Sequence, residues 1–185
     1  MRVALVSLVV GVSLALGACS DDATVTDGAS GRAGGIGTGP EALRDNAAQA
    51  DTFIGDGQSA FDARMKALRG HPVVVNQWAS WCSSCRFELP FFRAATKRFA
   101  DRVAFLGLDS QDQRGAGEAF QREIPSGFPS VFDDDASVAR KLGGARGWPT
   151  TFFFDRDGKL VFIKIGAYAS QELLERDIGE YAIKG

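Results

Sequence analysis

Histidine is almost absent from this chain of 185 residues. His71 is the only one, and cysteine occurs at just three positions, Cys19, Cys82 and Cys85. A structural zinc site needs about four Cys, His or carboxylate ligands; with no second cysteine pair, that use of the cysteines is disfavoured and no metal is expected. Charge of one sign is also missing. The 21 Lys and Arg against 23 Asp and Glu leave a net charge of -2 and a pI near 5.5, which argues against nucleic acid or anionic lipid as an electrostatic partner. The aromatic residues are mostly Phe, in short apolar runs that read as core. No apolar run reaches the roughly 20 residues that a transmembrane helix requires.

The apolar run nearest to that length is N-terminal. Met1-Arg2 gives a basic start, Val3 to Leu16 is apolar and uncharged, and Leu16-Gly17-Ala18-Cys19 follows. The pattern fits the hydrophobic region of a signal peptide, and its ending resembles a bacterial lipobox in which Cys19 becomes lipidated. An ordinary cleaved signal or an uncleaved anchor are the other readings, and all three put the rest of the chain outside the cytoplasm. Ser20 to Pro40 has six glycines and no periodicity. It reads as a flexible tether with a reach of roughly 25 Å. The expected organisation is residues 1–19 as a lipoprotein signal, 20–40 as linker and 41–185 as one domain, with 45% hydrophobic residues overall to build a core.

Within 41–185 the patterns alternate. A short helix is expected from Glu41 to Ala50, and no regular element up to Gly57. Ser59, with Asp62 as an approximate capping box, opens a helix whose Phe61, Met65 and Leu68 share a face. Val73 to Trp78 reads as a strand, followed by a helix to about Phe99 interrupted by Pro90. Val103 to Leu108 is a buried strand, Asp109 to Arg114 a polar loop and Gly115 to Glu123 a helix. Phe128 to Phe132 reads as a strand, Ser137 to Leu142 as a helix and Gly143 to Pro149 as a Gly-rich turn. Thr150 to Phe154 and Leu160 to Ile165 flank Asp155-Arg156-Asp157-Gly158, a hairpin signal. Ser170 caps a last helix with Leu173, Leu174, Ile178 and Tyr181 on its apolar face. The order predicts an α/β fold, a mixed sheet covered by helices on both faces.

Cys82 and Cys85 lie where strand gives way to helix. If Cys19 carries lipid, these two remain, in a compartment that tolerates disulfides. A merely structural disulfide closing so short a loop would constrain the unfolded chain little. A copper-handling protein of similar build would add a downstream histidine, and there is none after His71. A peroxiredoxin would want Thr or Ser three residues before its reactive cysteine, where this chain has Ala79. A redox dithiol fits the local physics. Free N–H groups and the helix dipole stabilise a thiolate at Cys82, and Cys85, one turn on, resolves the mixed disulfide.

The surroundings carry a more specific resemblance. Val74-Val75-Asn76 leads into Trp78-Ala79-Ser80-Trp81-Cys82; Cys85-Arg86 and Glu88-Leu89-Pro90 follow; Phe128-Pro129 and Trp148-Pro149-Thr150-Thr151 come later. From about Ser59 to its end the chain resembles the thioredoxin superfamily, and within it the TlpA/ResA-like extracytoplasmic thiol-disulfide oxidoreductases. The resemblance implies a thioredoxin-like fold, no cofactor, and a cis peptide before Pro149. It also implies that Glu88, three residues after Cys85 and so on the same helix face, tunes Cys85 and relays its proton. Asn76 stands where cytoplasmic thioredoxins place their buried acid and cannot do that work. Trp81, beside the nucleophile, and Trp148 are expected to contact substrate. Trp78 reads as core, and Gln77 as facing polar surroundings. Ser83-Ser84, where the family commonly has Pro second, alters the redox potential.

These readings imply an enzyme on the extracytoplasmic face of a bacterial membrane, anchored through Cys19 and likewise monomeric. Its partners would be thiols and disulfides of exported proteins and an integral-membrane electron donor, with no nucleic acid. Reduction of client disulfides, for example in apocytochrome c, is the direction implied. A DsbA-like oxidant is the alternative within the same chemistry, and a non-catalytic metal- or protein-binding module the alternative of another class.

Overall fold

A computed structural model describes residues 40–185, which belong to one compact unit. The expected signal, lipobox Cys19 and linker lie outside the described residues, apart from Pro40, which opens the first helix instead of closing the linker. Helix α1 (Pro40–Ala47) is followed by β1 (Phe53–Asp56), α2 (Gly57–Ala67), β2 (Val73–Trp78), α3 (Ser83–Arg98), β3 (Ala104–Ser110) and α4 (Arg114–Glu123). Then come β4 (Ser130–Asp133), α5 (Ser137–Lys141), β5 (Thr150–Phe154), β6 (Leu160–Ile165) and α6 (Gln171–Asp177), which runs into a π-helical turn, Ile178–Ile183.

The six strands form one sheet in the order β1-β4-β3-β2-β5-β6. β1, β4, β3 and β2 run parallel, whereas β5 and β6 pair antiparallel. The α/β fold expected from the alternating patterns is therefore present, with β2 in the middle of the sheet and every residue of β2, β3 and β5 buried. Because side chains alternate across a strand, neighbours serve opposite layers. Val74, Phe105 and Phe153 join the core built by α3 and α6, with Leu89, Phe92, Leu174 and Ile178. Val73, Val75, Leu106, Phe152 and Phe154 join the core of α2 and α5, with Phe61 and Val138. Burying one such Phe or Leu contributes about 1.5–3 kcal/mol, and the central strands that lead to the site are covered on both faces.

Trp78 is core, as expected: it is buried, its indole N–H donates to Ser130 Oγ at 3.2 Å, and it stacks on Phe120 with ring centroids 5.3 Å apart. The fit requires glycine at 107, where a Cβ would lie 2.2 Å from Ser130 Oγ and 2.7 Å from Trp78 Nε1.

Several expectations are corrected. β1 is a strand where no element was expected; it is four residues long, contains Gly55 and sits at the sheet edge, so it has no two-faced burial to print an alternating pattern. α2 starts at Gly57 after an extended Asp56 that makes no side-chain cap, which leaves Ser59 inside the helix. Asp62 accepts from Gln58 Nε2 at 2.8 Å instead of completing a capping box. α1 ends at Ala47 rather than Ala50, and β3 extends through Asp109 and Ser110, both buried although polar. Ser170 does cap α6, accepting from the Leu173 N–H at 3.4 Å. Leu173 itself is turned out, 38% exposed, while Leu174 and Ile178 pack inward. The hairpin turns at Gly158, with φ +68° and the Gly158 N–H donating to the Asp155 carbonyl at 3.0 Å.

Candidate active site

The end of β2 delivers the chain into a short loop, Ala79 to Cys82, before α3 begins at Ser83. Cys82 is the N-cap residue, extended at φ -86° and ψ 105°, and its Sγ accepts from the Cys85 N–H at 3.0 Å. A sulfur thus occupies the place where a Ser or Asp oxygen ordinarily satisfies a free helix N–H, and the helix N-terminus favours negative charge there. Cys82 and Cys85 form a disulfide with Cα atoms 5.3 Å apart. Cys82 retains 4% exposure and Cys85 none, so an incoming sulfur can reach only Cys82. Burial and order along the helix both suit Cys82 to attack and Cys85 to resolve.

The loop is held from the β3–α4 side. Asp112 accepts from the Ser80 backbone N–H and from Ser80 Oγ, the latter at 2.8 Å. The Trp81 indole N–H donates to the Gln111 carbonyl at 2.8 Å and leaves the ring 56% exposed. On the other side, the Trp148–Pro149 peptide is cis. Pro149 precedes β5, whose Thr150 pairs with Gln77 of β2, and the Pro149 carbonyl accepts from the Gly166 N–H at 2.8 Å. Trp148, half-buried, packs against Trp81, the residue before Cys82, with ring centroids 5.3 Å apart. Gln77 does not face a generally polar environment. It is fully buried and its Oε1 accepts from the Ala145 N–H at 3.1 Å, pinning the Gly-rich turn before Trp148.

Glu88 is fully buried on α3, not a solvated surface residue. One carboxyl oxygen accepts from Asn76 Nδ2 at 2.8 Å and the other from the Tyr168 N–H at 2.8 Å. Burial pushes its pKa up to about 7, against the pull of those two donors and of the Lys164 charge. A carboxyl that titrates near neutrality, one helical turn from Cys85, suits proton transfer at that sulfur. Asn76 thus joins the site in a way the sequence reading missed: it carries no proton itself, but its amide holds the Glu88 carboxyl. Tyr168 and Lys164 were also missed, because each meets the site across a long sequence separation. Lys164 lies over the Tyr168 ring at 4.6 Å and donates to the Gly166 carbonyl at 2.6 Å. The Tyr168 hydroxyl donates to Asp177 at 3.0 Å, and burial raises its pKa beyond the ordinary phenol range. Among the described residues no group of three or more His, Cys, Asp or Glu stands together as a metal site.

The arrangement has known relatives. The chain is similar to a protein named thiol-disulfide oxidoreductase ResA from Bacillus thuringiensis (strain Al Hakam), with 26% identity over 126 residues, 68% of this chain and 72% of the relative. It is similar to a thiol:disulfide interchange protein DsbE of Pseudomonas fluorescens biotype C at 34% over 92 residues, 49% of each chain. Among solved structures, a putative thiol:disulfide interchange protein DsbE from Chlorobium tepidum matches with a TM-score of 0.56 and 28% identity, covering 60% of this chain and 79% of that one. Residues 47–163 match the family described as AhpC/TSA, and with a thioredoxin-like fold and ResA-like relatives the chain belongs to that family.

Proposed function

We propose that this protein is a membrane-tethered, extracytoplasmic reductant that exchanges disulfides with exported polypeptides through Cys82. The coarser statement needs no proposal: the chain is a thiol-disulfide oxidoreductase with a thioredoxin-like fold. One observation carries the mechanism. The reachable sulfur, Cys82, caps α3, and its enclosed partner Cys85 lies a helical turn away on the face that also carries Glu88.

In the reduced protein the Cys82 thiolate attacks one sulfur of a client disulfide. A Cys82–client bond forms, the client S–S bond breaks, and one client thiolate leaves. Cys85 gives its proton to Glu88 and attacks Cys82 Sγ. The Cys82–Cys85 bond forms, the mixed disulfide breaks, and the second client sulfur leaves as a thiolate, which takes its proton from Glu88 or solvent. Two electrons pass from the dithiol to the client, and a membrane dithiol donor returns them. Trp81 and Trp148 bound the approach, and Pro149 offers its segment to the client backbone. Apocytochrome c before haem attachment is a fitting client, and Cys19 is the anchor. The names of the ResA and DsbE relatives support an exchange role, and the lipobox-like sequence supports the tether.

A redox titration followed by tryptophan fluorescence tests the direction. A midpoint near thioredoxin's roughly -270 mV is expected of a reductant, whereas one near the roughly -120 mV of DsbA makes the protein an oxidant and overturns the reading. Fractionation of cells expressing the full chain and its C19A variant tests the anchor: the variant is expected to leave the membrane fraction.

A further inference from the structure

Asp109 is a buried acid that the exchange chemistry does not use. It lies near the end of β3, fully enclosed, in register with Trp78 of β2 and Phe132 of β4. Neither of its carboxyl oxygens meets an N–H or hydroxyl donor among the described residues. A Cβ on Gly117 of α4 would lie 2.2 Å from its Oδ2, so glycine there makes room for the carboxyl. Three charged groups face it: Asp112 from the β3–α4 loop, Arg114 from α4 and Asp133 from β4.

Two of the three are committed elsewhere. Arg114 bonds to Asp56 and lies over the rings of Phe53 and Phe132 at 5.1 and 4.5 Å. The Asp133 oxygens accept from Ser110 Oγ and from the N–H groups of Val138 and Ala139, each at 3.0 Å. The group in hydrogen-bond reach of Asp109 is another acceptor, the Asp112 carboxylate. Two carboxyl groups meet in that way only by sharing a proton. Enclosure assigns the proton to Asp109, because the fully buried member of the pair loses most by carrying charge. Asp112 in turn holds both the backbone and the hydroxyl of Ser80, two residues before Cys82, and accepts from the Gln113 N–H at 2.7 Å. Gln111 of the same loop holds Trp81.

We propose that Asp109 is a positioning residue: its carboxyl O–H donates to Asp112, and Asp112 so oriented fixes Ser80 and Trp81 in one posture beside Cys82. Its importance for turnover rests on the exchange reading above; its geometry does not. Burial and the neighbouring Asp112 raise its pKa to about 9. Losing the proton sets two like charges against each other in a poorly solvated space, and the grip on Ser80 and Trp81 loosens.

The test is the tryptophan emission of the oxidised full chain between pH 7 and 10.5, in the wild type and in the W81F, D109N and D109A variants. The wild type is expected to show a reversible transition near pH 9, smaller in W81F because Trp81 reports the loop, the remainder there coming from Trp78, which is in register with Asp109. D109N is expected to lose it too, since its amide stays neutral and still donates to Asp112; any tyrosine contribution persists there and is subtracted. D109A, with no donor, is expected to show at pH 7 the emission that the wild type reaches only above the transition. The inference is overturned by no transition in the wild type, by one that survives in D109N, by one undiminished in W81F, or by wild-type emission from D109A at pH 7. If D109A fails to fold, D109N decides alone. Absence of any thiol-disulfide exchange would remove the functional reading while these emission measurements still judged the Asp109–Asp112 contact.

Discussion

Asn76 on β2 and Glu88 on α3 meet at 2.8 Å in a fully enclosed space, amide donating to carboxyl. The Tyr168 N–H holds the second oxygen, so both donors fix the carboxyl in place and favour its ionised form against the cost of burial.

The titration of Glu88 has a thermodynamic signature. Its pKa rises from 4.5 to about 7 on folding, so between those values the folded protein holds a proton that the unfolded chain has released. Stability contributed by this group is present below pH 4.5, falls as pH rises through the window and is fully lost above pH 7, by about 3 kcal/mol in all. Denaturant unfolding of the oxidised protein from pH 4 to 8 should show that decline. E88Q, which cannot ionise, should show a decline smaller by that amount, the remainder coming from Asp109.

Proton transfer at Cys85 has a kinetic signature. In stopped-flow reaction with a disulfide-bearing peptide, E88Q should attack through Cys82 at nearly the wild-type rate and then resolve slowly. The mixed disulfide should accumulate, with resolution slowed by about 10²-fold, the lower range for loss of a general acid-base group. Equal slowing of both steps would assign Glu88 to structure instead.

The difference in exposure between the two sulfurs gives a trapping test. C85S should trap a stable Cys82–client adduct, visible on a non-reducing gel and released by dithiothreitol, while C82S should form none because Cys85 is fully enclosed. Adducts at Cys85 in C82S would reverse the roles.

The dithiol, its helix, the central strand and the hairpin were legible because each is a local pattern: spacing, β-branched runs, turn residues. The need for a cis peptide before Pro149 came through resemblance and is met in the structure. What could not be read depends on partners distant in the chain. Glu88 is i+3 from Cys85 in sequence, but its burial is set by Tyr168, eighty residues on. Asp109 looked like loop because a polar run after Leu108 carries no mark of enclosure; β4 and α4 bury it. β1 was missed since an edge strand of four residues is defined by pairing with β4, not by its own composition.

The contact of Trp81 with Trp148 separates substrate binding from sulfur chemistry. Their ring centroids are 5.3 Å apart, tilted by 52°, and such a pair contributes about 0.5–1.5 kcal/mol beyond burial. W148F keeps an aromatic surface and removes a buried indole N–H that has no acceptor among the described residues. It should leave stability unchanged or raise it by about 1 kcal/mol, because an unsatisfied buried donor costs about 1–3 kcal/mol. W148A removes an aromatic surface next to Trp81, and its KM for a disulfide-bearing peptide should rise by about 2- to 10-fold, the worth of one aromatic contact with the client. Its reaction with a small aromatic disulfide, which needs only the Cys82 sulfur, should change less. Peptide kinetics and small-disulfide kinetics on the one variant decide the matter: a parallel fall in both would mean that Trp148 supports the Cys82 loop and does not receive the client.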